Sequence, residues 1–110
     1  EISSNYKKAF KGKIKFQDLP NGMYNAHHLF VIEVENRKDL YDFLHSKGVL
    51  VQIHYIPIHK FPYYKKIGYA DADLKNSENY YKNCISLPMY PTLTNEEQFR
   101  VIKLIIEFLN

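Results

Sequence analysis

The chain has 110 residues, of which 45% are hydrophobic and 25% are charged, and its formal net charge at neutral pH is +3. This length accommodates one domain and excludes two independent cores. The single cysteine, Cys84, excludes an internal disulfide and is typical of the reducing cytoplasm. The apolar runs are too short to cross a bilayer, so we expect a cytoplasmic protein with no membrane partner.

The first forty-seven residues predict a helix, two strands and a second helix. A spacing of four between apolar residues predicts the end of a helix over residues 1–11, followed by a short strand at 14–16. Alternating apolar residues predict a strand over 28–35, with Phe30, Ile32 and Val34 facing one way. Asn36 is then expected to cap a helix that continues to about residue 47.

The remaining residues predict one further long strand, an irregular stretch and a helical end. Residues 49–55 alternate as a strand would, and Pro57 closes it. Residues 56–75 are irregular, and a helix over 77–83 precedes a brief strand at 85–87. Thr94 and Glu97 form a capping box, which predicts the start of the last helix. The apolar residues expected to form the buried face of this helix are Phe99, Ile102, Ile105, Ile106 and Leu109.

These elements predict an α+β fold, with a small, mainly antiparallel sheet of three or four strands and helices packed on one face. Leu29, Val31 and Leu50 would lie on the opposite face, which is more apolar than a free sheet face usually is. A missing domain or a second subunit would explain this, and so would ordinary scattered surface hydrophobics.

The stretch richest in chemical groups runs from Gln52 to Tyr64. It leaves a predicted strand end and enters a loop stiffened by prolines, where functional groups are often displayed. Its imidazoles and phenols can donate hydrogen bonds to phosphate or sugar oxygens, and its tyrosine rings can pack against a base or a pyranose. A metal site at His54 and His59 lacks a second cluster of ligands.

Two other functional interpretations of the sequence remain open, a site for nucleic acid or another anionic partner and a nucleophilic cysteine. The lysines and tyrosines of loop 54–69 are interleaved, as in a stacking platform for single-stranded nucleic acid or a site for another anionic partner. Asp71 and Asp73 follow closely, however, and the aromatic-glycine signature of the common RNA-binding sheet is absent. Cys84 has no base beside it in the sequence, and a lone cysteine is more often a packing residue than a nucleophile.

An ordered set of motifs resembles the C-terminal region of the DegT-type nucleotide-sugar aminotransferases, from about residue 24 to the end. The preceding helix, within residues 1–12, resembles the end of the helix that links the two domains of that family. The motifs are His54-Tyr55-x-Pro57-x-His59, Pro62-x-Tyr64, Gly68, and Leu87-Pro88-x-Tyr90-Pro91-x-Leu93-Thr94.

The resemblance implies that residues 1–110 form the small domain of a homodimeric fold-type I enzyme that uses pyridoxal phosphate and glutamate. The substrate would be a UDP-linked 4-keto-6-deoxy sugar for a bacterial surface glycan. The cofactor-binding lysine would lie in a large domain outside this chain, so the chain alone would bind no cofactor and be inactive. No nucleic-acid partner is expected. The residues that the resemblance assigns to the substrate are His54, Tyr55, Ile56, Pro57, His59 and Tyr64.

Overall fold

The computed structural model describes residues 1–70 and 72–110. Asp71, one of the two aspartates that disfavour a nucleic-acid site, lies outside the described residues. The helices of the described residues include α1 (Ile2–Phe10), α2 (Arg37–Ser46), α3 (Pro62–Tyr64), α4 (Lys75–Asn83) and α5 (Asn95–Leu109). The strands are β1 (Lys15–Phe16), β2 (Phe30–Glu33) and β3 (Cys84–Leu87). A 3₁₀ turn (Ile58–Lys60) precedes α3, and a π-helical turn (Lys65–Tyr69) follows it.

The strands form one antiparallel sheet in the order β1-β2-β3. Phe30 pairs with Leu87 and Ile32 with Ile85, so the inward side chains of β2 and β3 lie opposite each other. Such directly opposed pairs are the main stabilising unit of a sheet. The predicted α+β class, with its small antiparallel sheet, is confirmed.

The core lies between the inner face of this sheet and helices α1, α2 and α5. The rings of Tyr6 and Phe10 stack in α1, and Tyr6 also packs 5.0 Å from the ring of Phe30. Each large apolar side chain buried here contributes about 1.5–3 kcal/mol. The predicted inward direction of β2 is confirmed, because Phe30, Ile32 and Val34 are all buried. The other buried core residues include Ile14, Leu40, Leu44, Val49, Val51, Ile85, Leu87, Val101 and Ile105.

The strand predicted over residues 49–55 is wrong. Its alternation is partly present, since Val51 is buried and Leu50 is 70% exposed, but the segment pairs with β3 only through a single bridge between Gln52 and Ser86. Antiparallel strands exchange hydrogen bonds at every second residue pair. Two residues before Gln52, Leu50 would pair with Pro88. Because proline has no N–H to donate, the hydrogen-bond ladder between the two strands cannot continue in that direction.

Helix α5 begins with the predicted capping box: the Thr94 hydroxyl accepts from the Glu97 amide, and the Glu97 carboxylate accepts from the Thr94 amide. The predicted buried stripe is partly wrong, because Phe99 is 67% exposed. Gln98 is buried instead. Its amide donates to the Ile2 carbonyl at 2.8 Å and accepts from Asn5 at 3.0 Å, which satisfies its polar atoms inside the fold.

None of the helices in the described residues has the length and apolar character that crossing a membrane requires.

On the sheet face away from the core, Leu29 and Val31 are half-buried.

Candidate functional site

The candidate site is the segment from Gln52 to Tyr64, which leaves the edge of β3. The isolated β-bridge between Gln52 and Ser86 holds the start of the segment. The Gln52 amide donates to the Ser86 carbonyl at 3.2 Å, and the Ser86 amide donates to the Gln52 carbonyl at 2.8 Å. His54 is half-buried, and its Nδ1 lies 2.9 Å from the Ser86 hydroxyl. The peptide bond between His54 and Tyr55 is cis. The beginning of the segment is therefore attached to the sheet by both backbone and side chain.

The middle of the segment is anchored inward by two buried residues, Pro57 and His59. His59 Nε2 lies 2.9 Å from Oε1 of Glu78 on α4, and Lys60 Nζ lies 3.6 Å from the other carboxylate oxygen. The hydrogen bond from His59 lowers the pKa of the Glu78 carboxyl, so that carboxyl stays ionised at neutral pH. The segment is thus tied to α4 as well as to β3.

Aromatic and aliphatic side chains of the same segment point outward. Tyr55 is 71% exposed, and Ile56 and Tyr64 are exposed as well. The ring of Tyr55 meets the imidazole of His54 edge-on at 4.6 Å between centroids, and Tyr64 meets Tyr63 in the same manner at 5.3 Å. Rings and hydroxyls arranged in this way can pack on a sugar or base face while they hydrogen-bond to its oxygens.

The structure therefore divides the six predicted substrate residues into two groups. Tyr55, Ile56 and Tyr64 face solvent, whereas the remaining three, His54, Pro57 and His59, are wholly or partly turned into the fold. The anchors of the two histidines, Ser86 and Glu78, were missed by the sequence analysis. They lie 32 and 19 residues away from their partners, and no local spacing signals such long-range contacts.

Cys84 lies beneath the segment, with its Sγ 3.9 Å from the carbonyl oxygen of His54. Burial raises the pKa of the Cys84 thiol, so the unreactive protonated form dominates at neutral pH. These surroundings are those of a packing residue.

The second motif, from Leu87 to Thr94, is used mainly for folding. Leu87 is in the core, the Pro88 carbonyl accepts a 2.8 Å hydrogen bond from the Tyr6 hydroxyl, and Thr94 caps α5. Burial raises the pKa of Tyr6, so its hydroxyl remains a donor.

A cleft of about 920 Å³ lies away from the segment, among residues 19–28, 89–95 and the start of α1. None of the six predicted substrate residues lines it. Two of its polar side chains bond to each other, since the Ser3 hydroxyl lies 3.2 Å from an imidazole nitrogen of His27. Among residues 1–70 and 72–110, no group of three or more potential metal ligands occurs in this cleft or elsewhere.

Comparison with known proteins agrees with this architecture. The sequence profile described as the DegT/DnrJ/EryC1/StrS aminotransferase family matches residues 1–106. The chain belongs to this family of aminotransferases.

Two curated proteins are similar in sequence. The spore coat polysaccharide biosynthesis protein SpsC of Bacillus subtilis is 34% identical over 94% of this chain and 29% of its own length. The UDP-4-amino-4,6-dideoxy-N-acetyl-beta-L-altrosamine transaminase of Campylobacter jejuni is 31% identical over 82% of this chain and 26% of its own length.

One solved structure, a DegT DnrJ EryC1 StrS aminotransferase from Brucella abortus, superposes with a TM-score of 0.88 and 34% identity. It covers 99% of this chain and 30% of the other. The chain thus spans between a quarter and a third of the length of these proteins.

The described residues do not fit the site of a pyridoxal phosphate cofactor, which needs a lysine inside a closed pocket. Every lysine of this chain is exposed except Lys7 and Lys60, which are half-buried. Each of these two pairs with a carboxylate, that of Asp18 and of Glu78 respectively. The described residues therefore include no lysine in the setting that this cofactor needs.

Proposed function

We propose that residues 1–110 act as the C-terminal small domain of a pyridoxal-phosphate-dependent nucleotide-sugar aminotransferase, with residues 1–12 as the end of the helix between domains. Two observations support this: the family match, and the span of a quarter to a third of the relatives' length. The cofactor and its lysine belong to a large domain of the same protein. The small domain alone binds no cofactor and is inactive.

The proposed reaction transfers an amino group from glutamate to the keto carbon of a UDP-linked 4-keto-6-deoxy sugar. The C. jejuni relative is a UDP-sugar transaminase by name, which supports the substrate class. The product would enter bacterial surface glycans such as those that contain pseudaminic acid. We propose a cytoplasmic homodimer, whose only other partners are the substrates.

The proposed role of the segment is to form one wall of the substrate site. The observation that carries it is the contrast between buried anchors and exposed rings: Pro57 and His59 fix the backbone, and Tyr55 and Tyr64 project from it. Ile56 adds apolar surface to this wall. Binding energy gained here, away from the reacting carbon, would orient that carbon at the cofactor.

His54 has a smaller part in the proposal. Its Nδ1 is engaged by Ser86, so its other nitrogen is the one that would face a sugar or phosphate oxygen. Whether Nδ1 or Nε2 of His54 carries the proton depends on whether the Ser86 hydroxyl accepts a hydrogen bond from Nδ1 or donates one to it.

The test uses the full-length protein that contains this chain. We expect it to show the absorbance of bound pyridoxal phosphate and to form more than one equivalent of 2-oxoglutarate per cofactor from glutamate only when a UDP-linked 4-keto-6-deoxy sugar is present to accept the amino group. A full-length protein without cofactor absorbance would contradict the proposal. If transamination fails and single-stranded RNA binds in a salt-sensitive manner, the binding-module alternative through loop 54–69 would replace it.

A further inference from the structure

A second site is indicated by a surface cleft of about 440 Å³ between α4, the start of α2 and the end of the 3₁₀ turn. Four cationic side chains, Arg37, Lys60, Lys75 and Lys82, line it together with one carboxylate, Glu78. The side chains that line the cleft therefore carry a net charge of +3. None of the six predicted substrate residues lines this cleft.

The guanidinium group of Arg37 is held in a fixed orientation in the cleft. Its Nε donates to the carbonyl oxygen of Lys82 at 3.1 Å, and its central carbon lies 5.5 Å from the centre of the Tyr81 ring. Among the described residues, no carboxylate pairs with Arg37 or Lys82. A planar, oriented guanidinium is well suited to bind two oxygens of one phosphate group.

The single carboxylate opposes an anion less strongly than a free one would, because Lys60 pairs with it and His59 occupies its other oxygen. One oxygen of Glu78 contacts the imidazole of His59 at 2.9 Å, and the other contacts the ammonium group of Lys60 at 3.6 Å. Lys75 contacts Asp73 at 3.1 Å, but both side chains are highly exposed, so this pair costs little to rearrange.

From these contacts we propose that the cleft is a binding site for a diphosphate group, with Arg37 as its oriented donor and Lys75 and Lys82 as additional charges. The diphosphate is either the free anion or part of a nucleotide. The cleft is large enough to admit this group, and Asn79 and Tyr81 also line it. The proposal is independent of the aminotransferase function, because it concerns a different set of residues.

The experiment titrates inorganic pyrophosphate into the 110-residue chain by isothermal calorimetry at low salt. We expect saturable binding at one site. The variant Lys75→Gln/Lys82→Gln should weaken it about tenfold, since each exposed charge contact contributes up to about 1 kcal/mol. Lys and Gln have similar helix propensities, so α4 should persist in this variant.

The matched control is Lys8→Gln/Lys103→Gln, which removes the same charge from two exposed lysines outside the cleft. We expect it to bind pyrophosphate as the unaltered chain does, and thermal unfolding of both variants verifies that they fold. Absence of saturable binding, or equal weakening by both pairs, would overturn the proposal.

A second arm replaces pyrophosphate with UDP. Equal affinity for the two identifies the diphosphate group alone as the ligand. Tighter binding of UDP that still depends on Lys75 and Lys82 identifies a nucleoside diphosphate. Because neither probe undergoes transamination, failure of the proposed enzyme function leaves this result interpretable.

Discussion

The sheet with its three helices and the segment from Gln52 to Tyr64 contain the same kinds of residue but use them in opposite ways. In the sheet, Ile32 and Ile85 are fully buried, and helices of the same chain cover them. In the segment, Ile58, Phe61 and Tyr63 are exposed to solvent. The described residues therefore bury their own core but leave these side chains of the segment uncovered.

This difference separates what stabilises the fold from what recognises other molecules. A concentrated exposed apolar surface is typical of binding sites, because folding alone does not favour it. The segment holds this surface in place with two polar anchors, the bonds of His54 to Ser86 and of His59 to Glu78. Such a surface is preorganised, which lowers the entropic cost of binding.

The largest expected effect is on the core. Ile32→Ala should lower the free energy of unfolding by about 2–5 kcal/mol, because it leaves a cavity among fully packed neighbours. Ile58→Ala removes the same atoms from a side chain that is 61% exposed, and should lower it by less than about 0.5 kcal/mol. Urea denaturation of both variants measures the difference.

If Ile58→Ala destabilised the chain as much as Ile32→Ala does, the segment would be part of the folding core, and the distinction between the two regions would fail. Ile105→Ala, in α5, serves as a second core variant and should resemble Ile32→Ala, since its side chain is also fully buried.

A smaller effect is expected at the anchor between the segment and α4. The pKa of Glu78 is lowered in the folded chain from its ordinary 4.5, so the His59 contact stabilises the fold above that pH. This stability is lost as the pH falls from 4.5 through the lowered pKa. Thermal midpoints measured from pH 7 to pH 3 should therefore fall less steeply for Glu78→Gln than for the unaltered chain.

The control for this pH series is Glu107→Gln, an exposed carboxylate on α5. Its midpoints should follow those of the unaltered chain. A Glu78→Gln series parallel to the unaltered chain would show that the anchor contributes nothing.

Much of the fold was predictable because its signals are local. The capping box of Thr94 and Glu97, the alternation of β2 and the stop of α2 before Gly48, which has a φ of +73°, depend on residues close in sequence. The strand at 49–55 was wrong because its pairing depends on Pro88, far along the chain. The burial of Gln98 depends on partners in α1, which no periodicity shows.

The candidate site was predictable only in its location. A loop rich in tyrosine, histidine and proline marked the segment, and the family resemblance named six residues within it. Their division into exposed rings and buried anchors is set by Ser86 and Glu78, which the sequence offered no means to connect. The cationic cleft also stayed hidden, because its charges come from separate elements.

The central claim, that the exposed face of the segment binds substrate, is tested most directly by Tyr55→Ala and Phe99→Ala in the full-length protein. The two side chains are 71% and 67% exposed, so neither change should alter the thermal midpoint or the cofactor absorbance. Tyr55→Ala should raise KM for the nucleotide-linked sugar about tenfold, as expected for one lost stacking contact of about 1–1.5 kcal/mol, while Phe99→Ala should leave it unchanged. An unchanged KM for Tyr55→Ala, or an equal rise in both variants, would contradict the claim.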